Sequence, residues 1–387
     1  MNNSPQVLDL QTARVGAYFS HVASHLPNAA DVKLVVIGHG VSNTPHFLDA
    51  LGKIAEVALV LIKPKSSRTE VAAGLKRRFP TSDLDRDEFE DSEFVAELFR
   101  SHDLLNSNLV LVDIGGYFAP CLNGLNGHVT ASGGRILGAM EGTENGWQLY
   151  EKHMPIEVPV VSVARSPLKL PEDYLVGSSI VFSIEAVLRN RFEILQTRQA
   201  CVVGYGKVGS SVAAVLRGRG VATVIHDNDP VAMAEASARG FPVSRRLDRA
   251  LANADLVVYA TGNRAFGKAA MSELRDGAIV AGVTSADSEI VADDIAKYSR
   301  HELSNELTEY RGPGNRRFFL VNDGNAANFL HGAVIGPAIQ LIEGEKLSAV
   351  SKLATADSSL EAGKLTELDY ADRKVVAETW NEHFLLD

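Results

Sequence analysis

Short apolar runs alternate with stretches of helical spacing along most of the chain. Val32 to Ile37 is an apolar run of strand length, and Thr44 to Ile54 carries the three- and four-residue spacing of an amphipathic helix. Val57 to Ile62 predicts a second strand, Ser92 to Ser101 a helix, and Leu109 to Asp113 a third strand. A Gly- and Asn-rich region, Gly115 to Gly134, interrupts the pattern before another β-branched run, Val158 to Val163. The alternation resumes with a strand ending at Val203, a helix over Ser210 to Arg217 and a strand over Ala222 to Ile225. Pro230 opens a helix through Arg239, and Lys268 to Arg275 predicts another. Asp255 to Ala260, Ala278 to Val283 and Phe318 to Val321 read as strands, and from Asn328 the pattern turns helical, with Ala333 to Ile342 first. Strands separated by helices imply mostly parallel sheets covered on both faces, an α/β protein.

The most specific local signal lies after the strand that ends at Val203. Gly204-Tyr205-Gly206-Lys207-Val208-Gly209 is G-x-G-x-x-G between a strand and a helix. Gly204 permits the tight turn, Gly206 lets the backbone approach a pyrophosphate, and Gly209 lets the helix pack close to the strand. Asp227 stands roughly 20 residues beyond Gly204, at the end of the next strand, where an acidic side chain takes the ribose hydroxyls. Its charge repels a 2′-phosphate, so NAD is expected over NADP.

Composition narrows the setting without adding chemistry. At 387 residues the chain is long enough for two domains with substantial cores. Its 45% hydrophobic and 22% charged residues are an ordinary soluble balance, and the net charge of −10 argues against a nucleic-acid surface. Lys76-Arg77-Arg78, the densest basic cluster, reads as a solvated helix end. Cys121 and Cys201 are the whole cysteine complement, which makes a disulfide framework unexpected. The start at Met1 lacks a signal-peptide pattern, and no apolar run approaches about 18 residues, so no membrane partner is expected and the expected location is cytoplasmic. No histidine pair has zinc-ligand spacing, and no Cys-x-x-Cys or Gly-x-Ser-x-Gly occurs, so no metal is expected.

The order of parts resembles S-adenosylhomocysteine hydrolase, most clearly from Glu141 to Asn328. In that family a V-P-x-x-x-V strand leads to a Lys, an Asp four residues later and G-C; here Val158-Pro159-Val160-Val161-Ser162-Val163 leads to Lys169, Asp173 and Gly177-Ser178. Its G-Y-G-D-V-G is similar to Gly204 to Gly209, and its T-G-N to Thr261-Gly262-Asn263. Asn328 matches the asparagine that contacts the nicotinamide amide, and Glu141 the catalytic glutamate. The resemblance implies a Rossmann-type NAD-binding domain inserted in a split α/β substrate domain. The expected limits are 1–182 for the first part of the substrate domain, 183–330 for the NAD domain and 331–387 for a helical return to the substrate domain. Ser166 to Asp173 and Gly324 to Gly336 are the expected crossings. It also implies a homo-oligomer, a dimer or tetramer, and a small-molecule substrate.

Several family positions are changed. The I-G-H-F-D histidine falls on Ser285, the second aspartate of D-D-G-G-D on Ile114, and G-H-P reads Ile335-Gly336-Pro337. The H-M-T motif is at best echoed by His39-Gly40-Val41, and the end of the chain lacks the tail Lys and Tyr that reach a neighbour's NAD. The expected catalytic residues are Lys169, Asp173, Glu141 and His39. The expected cofactor residues are Gly204, Tyr205, Gly206, Lys207, Val208, Gly209, Asp227, Thr261, Gly262, Asn263, Thr284 and Asn328. Asp113, His128 and His331 are further acid–base candidates if the fold brings them in. Three readings follow: an adenosylhomocysteinase-like enzyme that makes a transient ketone on a substrate other than S-adenosylhomocysteine, a plain NAD-dependent dehydrogenase of a polyhydroxylated or nucleoside-like molecule, and an NAD-binding regulatory homologue without catalysis.

Overall fold

The computed structural model describes residues 5–63, 67–284 and 289–385. The chain divides into two compact units, Met1–Lys169 with Pro337–Asp387, and Leu170–Gly336.

The first unit runs α1 (Pro5–Ser24), β1 (Val32–Gly38), α2 (Thr44–Ile54), β2 (Glu56–Ile62), α3 (Thr69–Arg78), β3 (Thr81–Asp83), α4 (Ser92–Ser101), β4 (Asn108–Asp113), α5 (Leu122–Ala131), β5 (Arg135–Glu141), α6 (Glu144–Lys152) and β6 (Val160–Ser162). The second unit continues with α7 (Leu170–Asn190), β7 (Gln199–Val203), α8 (Lys207–Gly218), β8 (Ala222–His226), α9 (Pro230–Ala238), α10 (Leu247–Asn253) and β9 (Leu256–Tyr259). It ends with α11 (Lys268–Glu273), β10 (Ala278–Gly282), α12 (Ala292–Ile295), β11 (Ser299–Ser304), β12 (Leu307–Arg311) and β13 (Arg317–Val321). The chain then returns to the first unit as α13 (Ala338–Ala354), β14 (Leu365–Thr366) and α14 (Tyr370–Phe384).

The first sheet has the order β14-β6-β5-β4-β1-β2-β3, parallel throughout. Alternation puts Leu34 and Val36 into one apolar layer with Leu48, Leu51 and Val350, and Val35 and Ile37 into the other with Phe99, Leu122 and Tyr150. Strands so covered are apolar on both faces, which is why they read as continuous runs. The second sheet has the order β11-β12-β13-β10-β9-β7-β8, parallel except for β11 and β12. Ala200 and Val202 face one layer and Cys201 and Val203 the other. A single parallel bridge, Ile225 to Val243, adds a rudimentary strand outside β8. Each sheet therefore has a doubly wound order, and its switch point lies between β1 and β4 in the first and between β7 and β9 in the second, where ligands bind at the carboxyl ends of the strands.

The two units meet at 169/170 and 336/337, against expected limits of 182/183 and 330/331. All of α7 belongs to the second unit, because it packs along α8; a Cβ on Gly177 would lie 2.2 Å from Ser211 Oγ. The return crossing is at 336/337, not 330/331, since the 3-10 turn Ala327–His331 packs against α7. The helix expected from Ala333 begins at Ala338 instead, after positive φ angles at Ala333 (52°) and Gly336 (66°). Within the Gly- and Asn-rich region, α5 forms because Leu122, Leu125 and Val129 bury one face.

Candidate functional site

In the second unit the glycine turn closes β7 onto α8. Gly204 has φ +96°, and a Cβ there would stand 2.6 Å from Ala260 O, so a side chain is excluded twice. A Cβ on Gly209 would lie 2.1 Å from Gly204 O, which sets how closely α8 approaches the turn. A Cβ on Gly206 would meet no protein atom within 4 Å. Gly206 caps the 12-residue α8, so the space beside it faces the helix N-terminus and its positive dipole end. Asp227 accepts from Tyr205 N at 2.6 Å through one oxygen and from Asp229 N at 2.8 Å through the other. Each oxygen keeps acceptor capacity for a further donor.

Tyr205 and Val208 turn their side chains into the core, away from the glycine turn. The Tyr205 ring is buried against Phe241, and Val208 packs on the same core layer, so only their backbones line the turn. Lys207 is exposed, with its ammonium 4.0 Å from the buried Asp173 carboxylate. Thr261 and Thr284 point their hydroxyls at Glu289, at 2.7 and 3.2 Å, and not outward. Glu289 also takes Thr261 N and Gly262 N, both at 2.8 Å, and burial pushes its pKa up. Sequence reading missed it; one Glu beside Ile290 carries no signal of that role. Asn263 is exposed and caps its own turn through Thr261 O at 3.0 Å. Asn328 is buried, and its Oδ1 accepts no hydrogen bond among the described residues.

In the first unit, His39, Lys63, Asp113 and Glu141 stand at the carboxyl ends of β1, β2, β4 and β5. Glu141 is fully enclosed and accepts from Gly115 N (3.1 Å), Gly116 N (2.8 Å), Thr143 N (2.6 Å) and Thr143 Oγ1 (2.8 Å). Asp113 accepts from Tyr117 N, Phe118 N and Tyr150 Oη at 3.0–3.1 Å. Burial, with the Glu141 charge beside it, pushes the Asp113 carboxyl up to about 7. His39 is half-buried, and its pKa is held well below the ordinary value by desolvation and by the charges of Lys63 and Lys346. Its imidazole is thus neutral near pH 7, a proton acceptor.

The remaining candidates belong to both units. Lys169 ends the 3-10 turn Pro167–Lys169 of the first unit, and Asp173 lies in the first turn of α7 in the second. His128 Nε2 lies 3.4 Å from Glu93 Oε2 across helices α5 and α4, away from the carboxyl edge of the sheet. His331 bonds Ser183 Oγ at 3.0 Å with its ring against Phe182. Ser285 lies outside the described residues. Cys121 and Cys201 are free and buried, and burial pushes both thiols up to about 12. Among the described residues no group of three or more His, Cys, Asp or Glu side chains is placed to hold a metal, and no helix is long and apolar enough to cross a membrane.

These edges define an α/β protein with a dinucleotide turn at the switch point of one of two doubly wound units. Residues 174–333 match the family model described as S-adenosyl-L-homocysteine hydrolase, NAD binding domain. The chain is similar to the S-inosyl-L-homocysteine hydrolase of Methanopyrus kandleri, 27% identical over 335 residues, 83% of this chain and 76% of that one. It is similar to the adenosylhomocysteinase of Aeropyrum pernix, 30% identical over 214 residues, 53% of this chain and 50% of that one. A third relative, the adenosylhomocysteinase of Sulfolobus acidocaldarius, is 27% identical over 287 residues, 71% of this chain and 66% of that one. The chain thus spans three-quarters of the first relative's length and half to two-thirds of the others. A solved phosphoglycerate oxidoreductase of Vibrio cholerae o395 aligns at a TM-score of 0.41 and 12% identity over 68% of this chain and 78% of that one, a slight likeness. Residues 174–333 are thus similar to the NAD-binding domain of S-adenosylhomocysteine hydrolases, most of the chain is similar to whole hydrolases of that kind, and NAD is the cofactor.

Proposed function

We propose that this protein transiently oxidises a substrate hydroxyl to a ketone, and so enables elimination or hydrolysis, on a substrate other than S-adenosylhomocysteine. One contrast carries the reading: the nucleotide edge keeps its glycine turn and acid, while the first edge has buried Ile114 where the family places a catalytic aspartate. The relative named S-inosyl-L-homocysteine hydrolase supports variation of substrate among similar proteins.

The residues of the second unit fit NAD. The space beside Gly206 and the α8 N-terminus suit the pyrophosphate, and Asp227 suits the ribose hydroxyls. Asn328 Oδ1, buried without a donor among the described residues, suits the nicotinamide amide. Bound NAD supplies a hydride acceptor. Lys169 is the proposed base for the hydroxyl proton and Asp173 its orienting carboxylate, as the resemblance implies. His39, neutral for the reasons given, takes the proton of the elimination step. Glu141 is assigned as a positioning residue, because its carboxylate is engaged in holding the Gly115–Gly116 turn. The homo-oligomeric state is proposed from the resemblance alone.

The fate of the cofactor tests this reading. The protein should carry NAD on purification, with calorimetry of the stripped protein favouring NAD over NADP, and turnover should leave no net NADH. Stoichiometric NADH per product would move the reading to a plain dehydrogenase, and efficient homocysteine release from S-adenosylhomocysteine would overturn the substrate assignment. Lys169→Ala should bind NAD nearly as the wild type does and lose its reduction by substrate.

A further inference from the structure

Within the second unit the head of α8 meets the first turn of α7, and a charge pair crosses between them. Lys207 is the first residue of α8, directly after Gly206, at the place where the resembling motif G-Y-G-D-V-G has an acid. Helix side chains lean toward the N-terminus, so the stem of Lys207 leaves on the side of the glycine turn. Its ammonium ends 4.0 Å from Oδ2 of Asp173, in the first turn of α7. The lysine side chain is 36% exposed and the aspartate side chain 9%, so the pair joins a partly solvated cation to a carboxylate held out of water.

Packing of the two helices fixes this pair. Ser211 lies one turn beyond Lys207 on the same face of α8, and its hydroxyl donates to the carbonyl of Tyr174, the residue after Asp173. A Cβ on Gly177 would lie 2.2 Å from Ser211 Oγ and 2.7 Å from Val212 N, so α7 and α8 touch there with no room for a side chain on the α7 side. The helix that heads the phosphate cradle and the helix that bears the redox carboxylate are therefore held turn against turn. A pyrophosphate at the α8 N-terminus brings negative charge to a neighbourhood where Asp173 already holds one, and burial leaves that carboxylate weakly screened by water. An acid at position 207 would add a third negative group. Lysine reverses the sign.

We propose that Lys207 is a positioning residue that couples NAD to Asp173: its ammonium offsets the repulsion between the pyrophosphate of the cofactor and the buried carboxylate, so that both stay charged beside one helix head. This rests on the reading that Asp173 serves the redox step, and goes beyond it by tying that carboxylate to cofactor binding. Calorimetry of the stripped protein with NAD, at constant ionic strength and without substrate, tests it as a double-mutant cycle. Lys207→Gln should bind NAD about tenfold more weakly or worse. Asp173→Asn should recover about threefold of that loss in the Lys207→Gln background, and should change the affinity of the wild type by less, since the repulsion it relieves is already offset there. Lys207→Arg keeps the charge and should keep the affinity. A urea midpoint near that of the wild type shows that each variant is folded. Wild-type NAD affinity in Lys207→Gln overturns the proposal, as do additive effects of the two substitutions or a loss of affinity in Lys207→Arg. Stoichiometric NADH release would change the reading of the reaction and leave this cycle standing, because no substrate enters it.

Discussion

Two sheets of one strand logic end in two different kinds of edge. Each is doubly wound, and each places one buried glutamate where it gathers four donors from loops at the carboxyl edge: Glu289 from Thr261, Gly262 and Thr284, and Glu141 from Gly115, Gly116 and Thr143. The difference lies in what faces outward. The second edge offers backbone, with open space at Gly206 and one acid, Asp227. The first offers charged side chains, Lys63, Arg86 and Lys346. A phosphate cradle built from N–H groups needs glycines and a fixed turn. An edge built from side chains can change its ligand by substitution, without rebuilding the turn.

The largest effect is expected where the backbone cradle is filled. Gly209→Val puts atoms within 2.1 Å of Gly204 O and pushes α8 off the turn. NAD affinity should fall at least about 100-fold, roughly 3 kcal/mol, and the second unit should unfold at lower urea. Near-normal NAD affinity would show that the turn does not hold the cofactor.

The two glutamates make the comparison sharper. Glu289→Gln and Glu141→Gln each turn an acceptor into a donor facing N–H groups, and each should destabilise by about 1–3 kcal/mol in urea unfolding. Glu289→Gln should also weaken NAD, while Glu141→Gln should leave it unchanged. The reverse pattern would break the assignment of one edge to NAD.

How legible these edges were depended on whether their chemistry is local. The glycine turn and Asp227 could be read because spacing along the chain encodes them, and Asn328 only through the resemblance. The strands could be read because burial on both faces makes continuous apolar runs such as Val32 to Ile37. Glu289 and the Lys63–Arg86–Lys346 cluster could not, since their partners are brought in by the sheet from positions far apart in sequence. The same holds for α13, whose burial extends to Glu345 and Lys346 and hides any amphipathic stripe. The catalytic role expected of Glu141 came from the resemblance, whereas its four hydrogen bonds with Gly115, Gly116 and Thr143 had no sequence signal.

A pH series separates the edges next. The Asp113 carboxyl, with Glu141, Tyr150 and Cys121 around it, titrates at about 7 in the folded chain against an ordinary 3.8. The folded state therefore holds the proton more tightly than the unfolded one. The stability this gives is full below about pH 4 and is lost as pH rises through about 7, on the order of a few kcal/mol. Asp113→Asn should flatten that dependence in urea midpoints taken between about pH 5 and 8. A variant that follows the wild-type curve would show that Asp113 is charged throughout.

The smallest effect on folding, and the most discriminating for the cradle, belongs to Gly206→Ala. A Cβ at this position meets no protein atom and the backbone (φ −74°, ψ −163°) suits any residue, so only the weaker N-cap preference of Ala counts, and unfolding stability in urea should fall by no more than about 1 kcal/mol. The same methyl group occupies the space where a pyrophosphate would approach the α8 N-terminus. NAD affinity should therefore fall about tenfold, roughly 1.4 kcal/mol, a larger loss than that in stability. A loss mainly of binding is what separates an open cradle from a packed turn, since Gly209 should lose both. If Gly206→Ala binds NAD as the wild type does, the pyrophosphate does not lie against Gly206, and the cofactor sits elsewhere along the β7–β9 crevice.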